Sequence, residues 1–479
     1  MRRWRPFSVV LALLAGCSPT PSDEPPSWEE EASTSSQEVS SWAPCGRTAV
    51  ALKDIAPGAA SSEPEDLVHG DRLLLFTADD GAGRELWKSS GTQGKGTALV
   101  KYIPSGPTGM APSELVRVGD RIFFAAEDPE HGRELWVSDG TFKGTHLVKD
   151  IWPGETGSFP RSLFEFKGLL YFAAGDPDHG RELWRSDGTP AGTFLVEDLE
   201  PGPEGTSPYS LTRGGDGSLY FLIASQELFL KLMRSDGGPG AVELRRVPAS
   251  GGMIEKLTPV GKRLFFVTGA AHDDAMFDLE VTDRGRPPVS LGSFLEVGNL
   301  AEMGGRLFFS AEDESSGGEL WRSDGTAMGT VRVKDIRPGS EGSSPSHLTV
   351  VGRRLFFSAD DGASGRELWV SNGSASGTTL FADLERGGAG SSPEELTAIE
   401  GHLFFSAETA GHGREPWVTD GTRSGTVALE ELSAGPSSSN PGSFVRSGWD
   451  VFFAAEDDTH GRELWALPFQ PWGRCDRDR

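Results

Sequence analysis

The sequence predicts an all-β fold, a closed β-propeller of four-stranded blades with nine blades by repeat count. Three observations predict it. A unit of about 48 residues recurs along the chain, each unit divides into four short strands, and the first and last strands are offset in a way that suits a ring. The composition agrees. Gly, at 63 of 479 residues, is about twice its usual share, and only 36% of the chain is apolar. Many glycines and few long apolar runs point to many tight turns.

The repeat is marked by Glu-Leu-Trp or a close variant at Trp87, Trp136, Trp184, Trp321, Trp369, Trp417 and Trp465. Between Trp184 and Trp321 lie two degenerate units, Lys231 to Gly237 and Asp278 to Asp283, with Met233 and Glu280 at the tryptophan position. The steps are then 49, 48, 49, 47, 41, 48, 48 and 48 residues, which makes nine units. A period of this length means a solenoid or a propeller. An eight-bladed ring with the short fifth unit squeezed out is the alternative.

The third unit shows the strands. Ser162 to Phe166 is a weak first strand, and Leu169 to Ala174 is an apolar second. Glu182 to Ser186 alternates as a third, and Thr193 to Asp198 is the fourth. Short runs bounded by Gly, Pro and Asp clusters read as antiparallel hairpins. Four strands per 40 to 50 residues is a propeller blade. The first recognisable strand, Thr48 to Ile55, matches the fourth strand of other units, whereas the last unit stops after its third, at Leu464 to Leu467. The N-terminal strand therefore completes the final blade and removes both open edges.

Upstream of the repeats, Arg2, Arg3 and Arg5 form a positive n-region and Phe7 to Ala15 a short apolar h-region. That is a secretory signal, expected over residues 1–16. Leu14-Ala15-Gly16-Cys17 resembles the bacterial lipobox, which implies lipidation at Cys17 and anchoring to the cell envelope, with Ser18 leaning toward the outer membrane, on its periplasmic face or the cell surface. Ser18 to Pro44 hold six acidic residues and no basic one. Residues 17–44 are expected to be a disordered tether. The propeller is expected over 45–479.

Cys17 is accounted for by the lipid. The remaining two cysteines, Cys45 and Cys475, flank the repeats in an exported, oxidising setting, and a closed ring would bring them together as a disulfide.

Several units read Ala-x-Asp-x-x-x-Gly-Arg-Glu-Leu-Trp, as from Ala126, Ala174, Ala359 and Ala455. This resembles the tryptophan-docking motif of quinoprotein-type propellers, which implies that each Trp lies on backbone near the glycine of a neighbouring blade. The whole repeat, from about Thr48 to Leu467, is similar to the bacterial ELWxxDGT-repeat proteins, a resemblance that implies no particular activity.

The Asp-Gly-Thr-x-x-Gly-Thr turns from Asp139, Asp187, Asp324 and Asp420, with Asn372 as a variant, read as local caps rather than calcium ligands. His131, His179, His412 and His460 share one repeat position, which spreads them around a ring rather than converging on a metal. Arg133 and Glu134, like their repeats, are expected to pair within or between blades. Gly91 to Thr97 lacks phosphate-loop spacing and is a hairpin turn.

The formal charge of −26 excludes nucleic acid as a partner. No adjacent cysteine pair, His-Glu-x-x-His or Gly-x-Ser-x-Gly is present. The expected function is a monomeric, lipid-anchored, non-catalytic binding module for an unidentified protein or glycan, not an enzyme and without a cofactor. Its specificity would lie in the divergent sector Gly214 to Leu300, with the Gln226 to Met233 stretch and the His272-Asp273-Asp274 turn. The alternatives are an enzyme with an axial site, quinoprotein-like or hydrolase, and a calcium-dependent binding module.

The lipobox leads to a direct test. Metabolic labelling with a palmitate analogue should mark the wild-type chain and not Cys17→Ala. Equal labelling of both would refute it.

Overall fold

A computed structural model describes residues 42–475 apart from 71, 105, 271–275, 314 and 472–474. The signal segment, Cys17 and the His272-Asp273-Asp274 turn lie outside the described residues. Those described form nine antiparallel blades and no helix, eight of them four-stranded sheets and the ninth a sheet whose fourth position is shared by two short N-terminal strands. The first strands of successive blades run side by side, and that of blade nine, Gly442–Ser447, lies against that of blade one, Glu65–His69. The ring is closed with nine blades, not eight. The short fifth unit builds a full blade from Gly252–Val260, Arg263–Ala270, Phe277–Asp283 and Val289–Phe294.

Closure uses the chain's N-terminal part. Val50–Ala51 pairs antiparallel with Trp465 and Ala466 of the last strand, Gly461–Pro471. Trp42–Pro44 pairs with Phe469 to Pro471 of the same strand. Trp42–Pro44, within the segment expected as tether, is thus a strand, because Trp42 has a surface to bury against. Its ring stacks on Phe469, and the Arg446 guanidinium sits 3.8 Å from its centroid. Cys45 and Cys475 are disulfide-bonded, with Cα atoms 5.2 Å apart.

The core is divided into interfaces between blades. Trp136 of blade two packs with Leu75 and Leu86 of blade one, and Trp184 of blade three with Phe123 and Leu135 of blade two. Trp87 of blade one meets Phe452 and Leu464 of blade nine, so the interface at the seam matches the others. A lysine from the outer strand of the preceding blade covers several of these rings. Lys101 lies 5.5 Å from the Trp136 centroid and donates to the Thr145 carbonyl at 2.7 Å. Lys149 and Lys334 do the same at Trp184 and Trp369. Lys53, from the segment that follows Val50–Ala51, covers Trp87 at 4.9 Å.

The loop glycines approach the third strand backbone to backbone. Gly157, at φ +73, would place a Cβ 2.3 Å from the Arg133 nitrogen, and the two residues form a parallel bridge. Only glycine lets that loop lie flat on the strand.

The degenerate units keep the interfaces by exchanging chemistry. Glu280, at the tryptophan position of blade five, is 4% exposed. It accepts hydrogen bonds from Arg245 of blade four at 3.0 and 3.1 Å. An ion pair there replaces the lysine–indole contact. Lys231 stands where other blades carry a buried glutamate, and Glu200 supplies its carboxylate at 2.8 Å.

That glutamate is the structural centre of the repeat. Glu134 is fully buried and accepts from the Trp152 and Ser158 N–H groups and the Ser158 hydroxyl, all in the loop leading to blade three. Glu319 and Glu367 hold the equivalent loops the same way. Among the described residues the repeat arginine therefore does not pair with the repeat glutamate, although Arg84 and Arg414 lie near other glutamates, Glu65 and Glu394. The glutamates hold loops by their amide and hydroxyl hydrogens, and the arginines hold others by their carbonyls.

Two predictions follow from this packing. Replacing Trp136 or Trp369 by Ala should destabilise the fold by about 3–5 kcal/mol, and Met233→Ala by less, in chemical denaturation. An unmoved midpoint for Trp136→Ala would refute the interface role.

Burial pushes Glu85, Glu134 and Glu182 up to about 7. These groups hold protons in the folded chain that the unfolded chain has released, so stability falls as pH rises from about 4.5 to 7. Hydrogen bonds that the ring Nδ1–H groups donate to Asp128, Asp176 and Asp457 raise His131, His179 and His460, whose stabilising contribution is likewise lost as pH rises. The thermal midpoint should be higher at pH 5.5 than at pH 8; the reverse order would contradict it.

Candidate functional site: a cavity at blade six

The innermost strand of each blade carries a bulge. In blade two, Glu114 and Leu115 together stand opposite the single residue Phe124, and Glu114 takes φ +59. Counted from the repeat, the corresponding residues are Asp66, Glu114, Ser162, Ser210, Lys256, Asn299, His347, Glu395 and Ser443. Several reach the next blade. Asp66 accepts from the Glu114 N–H at 3.1 Å, Asn299 from the His347 N–H at 3.0 Å, and Glu395 from the Ser443 N–H at 3.3 Å. Burial raises the Asp66 carboxyl.

Just outside this ring sits the repeat arginine. In five blades its guanidinium donates to the carbonyl four residues before the bulge's leucine or phenylalanine. The pairs are Arg84 with Glu63 at 2.7 Å, Arg133 with Ala111 at 2.8 Å, and Arg366 with Ser344 at 2.9 Å. Arg414 meets Ser392 at 2.9 Å, and Arg462 meets Asn440 at 2.7 Å. Four of those five acceptors, Glu63, Ser344, Ser392 and Asn440, hold left-handed φ near 45°. Serine hydroxyls complete the seat, as Ser113 does for Arg133 and Ser346 for Arg366.

Blade six departs from this pattern. Its third strand reads Gly317-Gly318-Glu319-Leu320-Trp321, with Gly318 in the arginine's place. Gly298 stands where Ser113 and Ser346 stand in their blades. A cavity of about 460 Å³ opens there, lined among others by Lys256, Glu296, Asn299, Ser310, Glu312 and Arg366. Glu296 and Glu312 are directly opposite each other on the first two strands. The Lys256 ammonium is drawn to the Val297 carbonyl at 2.5 Å and the Glu255 carboxylate at 2.8 Å. Burial lowers the Arg366 guanidinium's proton affinity, and that side chain remains engaged with Ser344 and Ser346.

Of the residues singled out from sequence, the tryptophans are in blade interfaces and the two cysteines are joined. His131, His179 and His460 each bond through Nδ1 to the aspartate three residues earlier, within their own hairpins. Asp139 accepts from the Thr141 N–H and hydroxyl, and the latter bond lowers its carboxyl. Among the described residues, no group of three or more His, Cys, Asp or Glu is placed to hold a metal. The divergent sector from Gly214 to Leu300 does border the cavity, through Lys256, Glu296, Gly298 and Asn299. Gly318 and Glu312 escaped notice because blade six keeps its tryptophan. The signal was the loss of one arginine from an otherwise repeated Gly-Arg-Glu-Leu-Trp.

No described family and no curated protein matches the chain in sequence. Similar solved structures include a prolyl endopeptidase, with 12% identity, a TM-score of 0.41, and 66% of this chain and 49% of that chain covered. A puromycin hydrolase matches with 14% identity and a TM-score of 0.38, covering 72% and 58%. Oligopeptidase B from Leishmania major matches with 10% identity and a TM-score of 0.39, covering 77% and 54%. The chain thus spans about half of these proteins. The expectation of a non-catalytic binding module, and of no enzyme, is corrected by these findings: the similar structures just named are of an endopeptidase, a puromycin hydrolase and an oligopeptidase. At such identity the likeness is one of fold, and it assigns no residue a role.

Proposed function

We propose that the protein is an exported hydrolase whose reaction takes place in the cavity at blade six. The observation that carries this reading is the pair Glu296 and Glu312, opposite each other on adjacent strands and both lining a 460 Å³ cavity. Opposed residues of an antiparallel pair hold their Cβ atoms about 4.5–5.5 Å apart. Two carboxylates so placed can divide the work of hydrolysis. One takes a proton from the attacking water, and the other delivers one to the leaving group.

The Cys45–Cys475 disulfide supports export, because such bonds persist in oxidising compartments. The residues around Cys17 support a lipid anchor at the envelope, and the repeat supports kinship with the ELWxxDGT proteins.

A panel of chromogenic peptides, esters and glycosides tests the reading. The wild-type chain should hydrolyse one class, and Glu312→Gln should lower kcat/KM by about 100-fold or more, within the range typical of a lost acid or base, with an unchanged thermal midpoint. No turnover of any class, or full activity in Glu312→Gln, would overturn it.

A further inference from the structure

The cavity at blade six has the shape of a missing part. Wherever the repeat arginine was traced above, its guanidinium fills the space between the third strand and the carbonyl four residues before the bulge's leucine or phenylalanine, with a serine oxygen nearby for Arg133, Arg366 and Arg414 and a threonine oxygen for Arg84. In blade six that carbonyl belongs to Glu296, four residues before Leu300. Ser310 occupies the place of Ser358, whose carbonyl accepts from Arg366, and of Ser406, whose hydroxyl accepts from Arg414. By repeat position the acceptor residues are thus retained, Glu296 here in extended strand, while the donor has been removed. Glycine at 298 also preserves the opening, since a Cβ there would come within 2.2 Å of the Ser310 hydroxyl.

The surroundings favour a cation as the occupant. The carboxylates of Glu296 and Glu312 line the space. The neighbouring cations are already engaged, Lys256 with Val297 and Glu255, and Arg366 with its own seat. A planar, multi-donor group matches such a set of carbonyl and hydroxyl acceptors better than a point ammonium does.

We propose that the cavity binds a guanidinium group of the substrate, an arginine side chain of a peptide, in the seat that the protein's own arginine fills in other blades. Glu296 would receive it through its main-chain carbonyl and Ser310 through its oxygens. The two carboxylates would stand beside the adjoining amide. This rests on the hydrolase reading for the reaction but not for the binding.

Restoring the arginine provides the test. Gly318 has φ outside the left-handed region, and a Cβ there would make only ordinary contacts with Ser344, the nearest at 3.5 Å. Gly318→Arg therefore returns blade six to the repeat pattern without strain. Titration of the full chain with Nα-acetyl-arginine amide, and with its lysine and citrulline counterparts, is read by calorimetry and by the thermal midpoint. The wild type should bind the arginine amide at least tenfold more tightly than the other two. Gly318→Arg should lose that binding at least tenfold while melting no lower. Undiminished binding in Gly318→Arg, or no preference for guanidinium, overturns the proposal even if hydrolysis is found. Guanidinium-selective binding that Gly318→Arg abolishes sustains it even if the Glu312→Gln assay rejects the hydrolase reading.

Discussion

The buried glutamate of each Glu-Leu-Trp is the interaction on which the ring depends. Glu134, Glu319 and Glu367 reach into the loop that carries the chain to the next blade and bind its amide and hydroxyl hydrogens. Those loops have backbone donors that would otherwise be buried without partners, and leaving a buried donor unmet costs about 1–3 kcal/mol. The carboxylate meets two or three of them at once. It also sets where the next blade begins, and with it the position of the next innermost strand at the axis.

The arginine beside that glutamate performs the complementary task by gathering carbonyls. Together the two residues fix the loops ahead of and behind each blade, and the tryptophan fills the hydrophobic space between neighbours. A ring built from one such unit tolerates exchange of parts where the chemistry is balanced. Arg245 with Glu280 and Lys231 with Glu200 are two such exchanges. The loss of arginine at Gly318 is different, because nothing among the described residues takes its place and a cavity results.

Much of the fold was legible in sequence. The apolar second strands, the Gly-rich turns and the fourth-strand character of Thr48 to Ile55 were enough for nine blades, the N-terminal closure and the Cys45–Cys475 bond. The roles of Arg133 and Glu134 were not legible, because opposite charges side by side suggest a pair, whereas their real partners are main-chain groups and serine hydroxyls of distant loops. The exchange at Glu280 was invisible for the same kind of reason. Its partner Arg245 lies in the preceding blade, 35 residues away. The cavity was hidden because sequence reading followed the tryptophans, and blade six retains Trp321 while dropping the arginine three residues before it.

The central claim is that the space in blade six is an arginine's seat with its acceptors intact. A crystal structure of Gly318→Arg examines this directly. The introduced guanidinium should lie within hydrogen-bond distance of the Glu296 carbonyl and a Ser310 oxygen, and the cavity should close. A side chain turned to solvent, with the cavity still open between Glu296 and Ser310, would contradict the account.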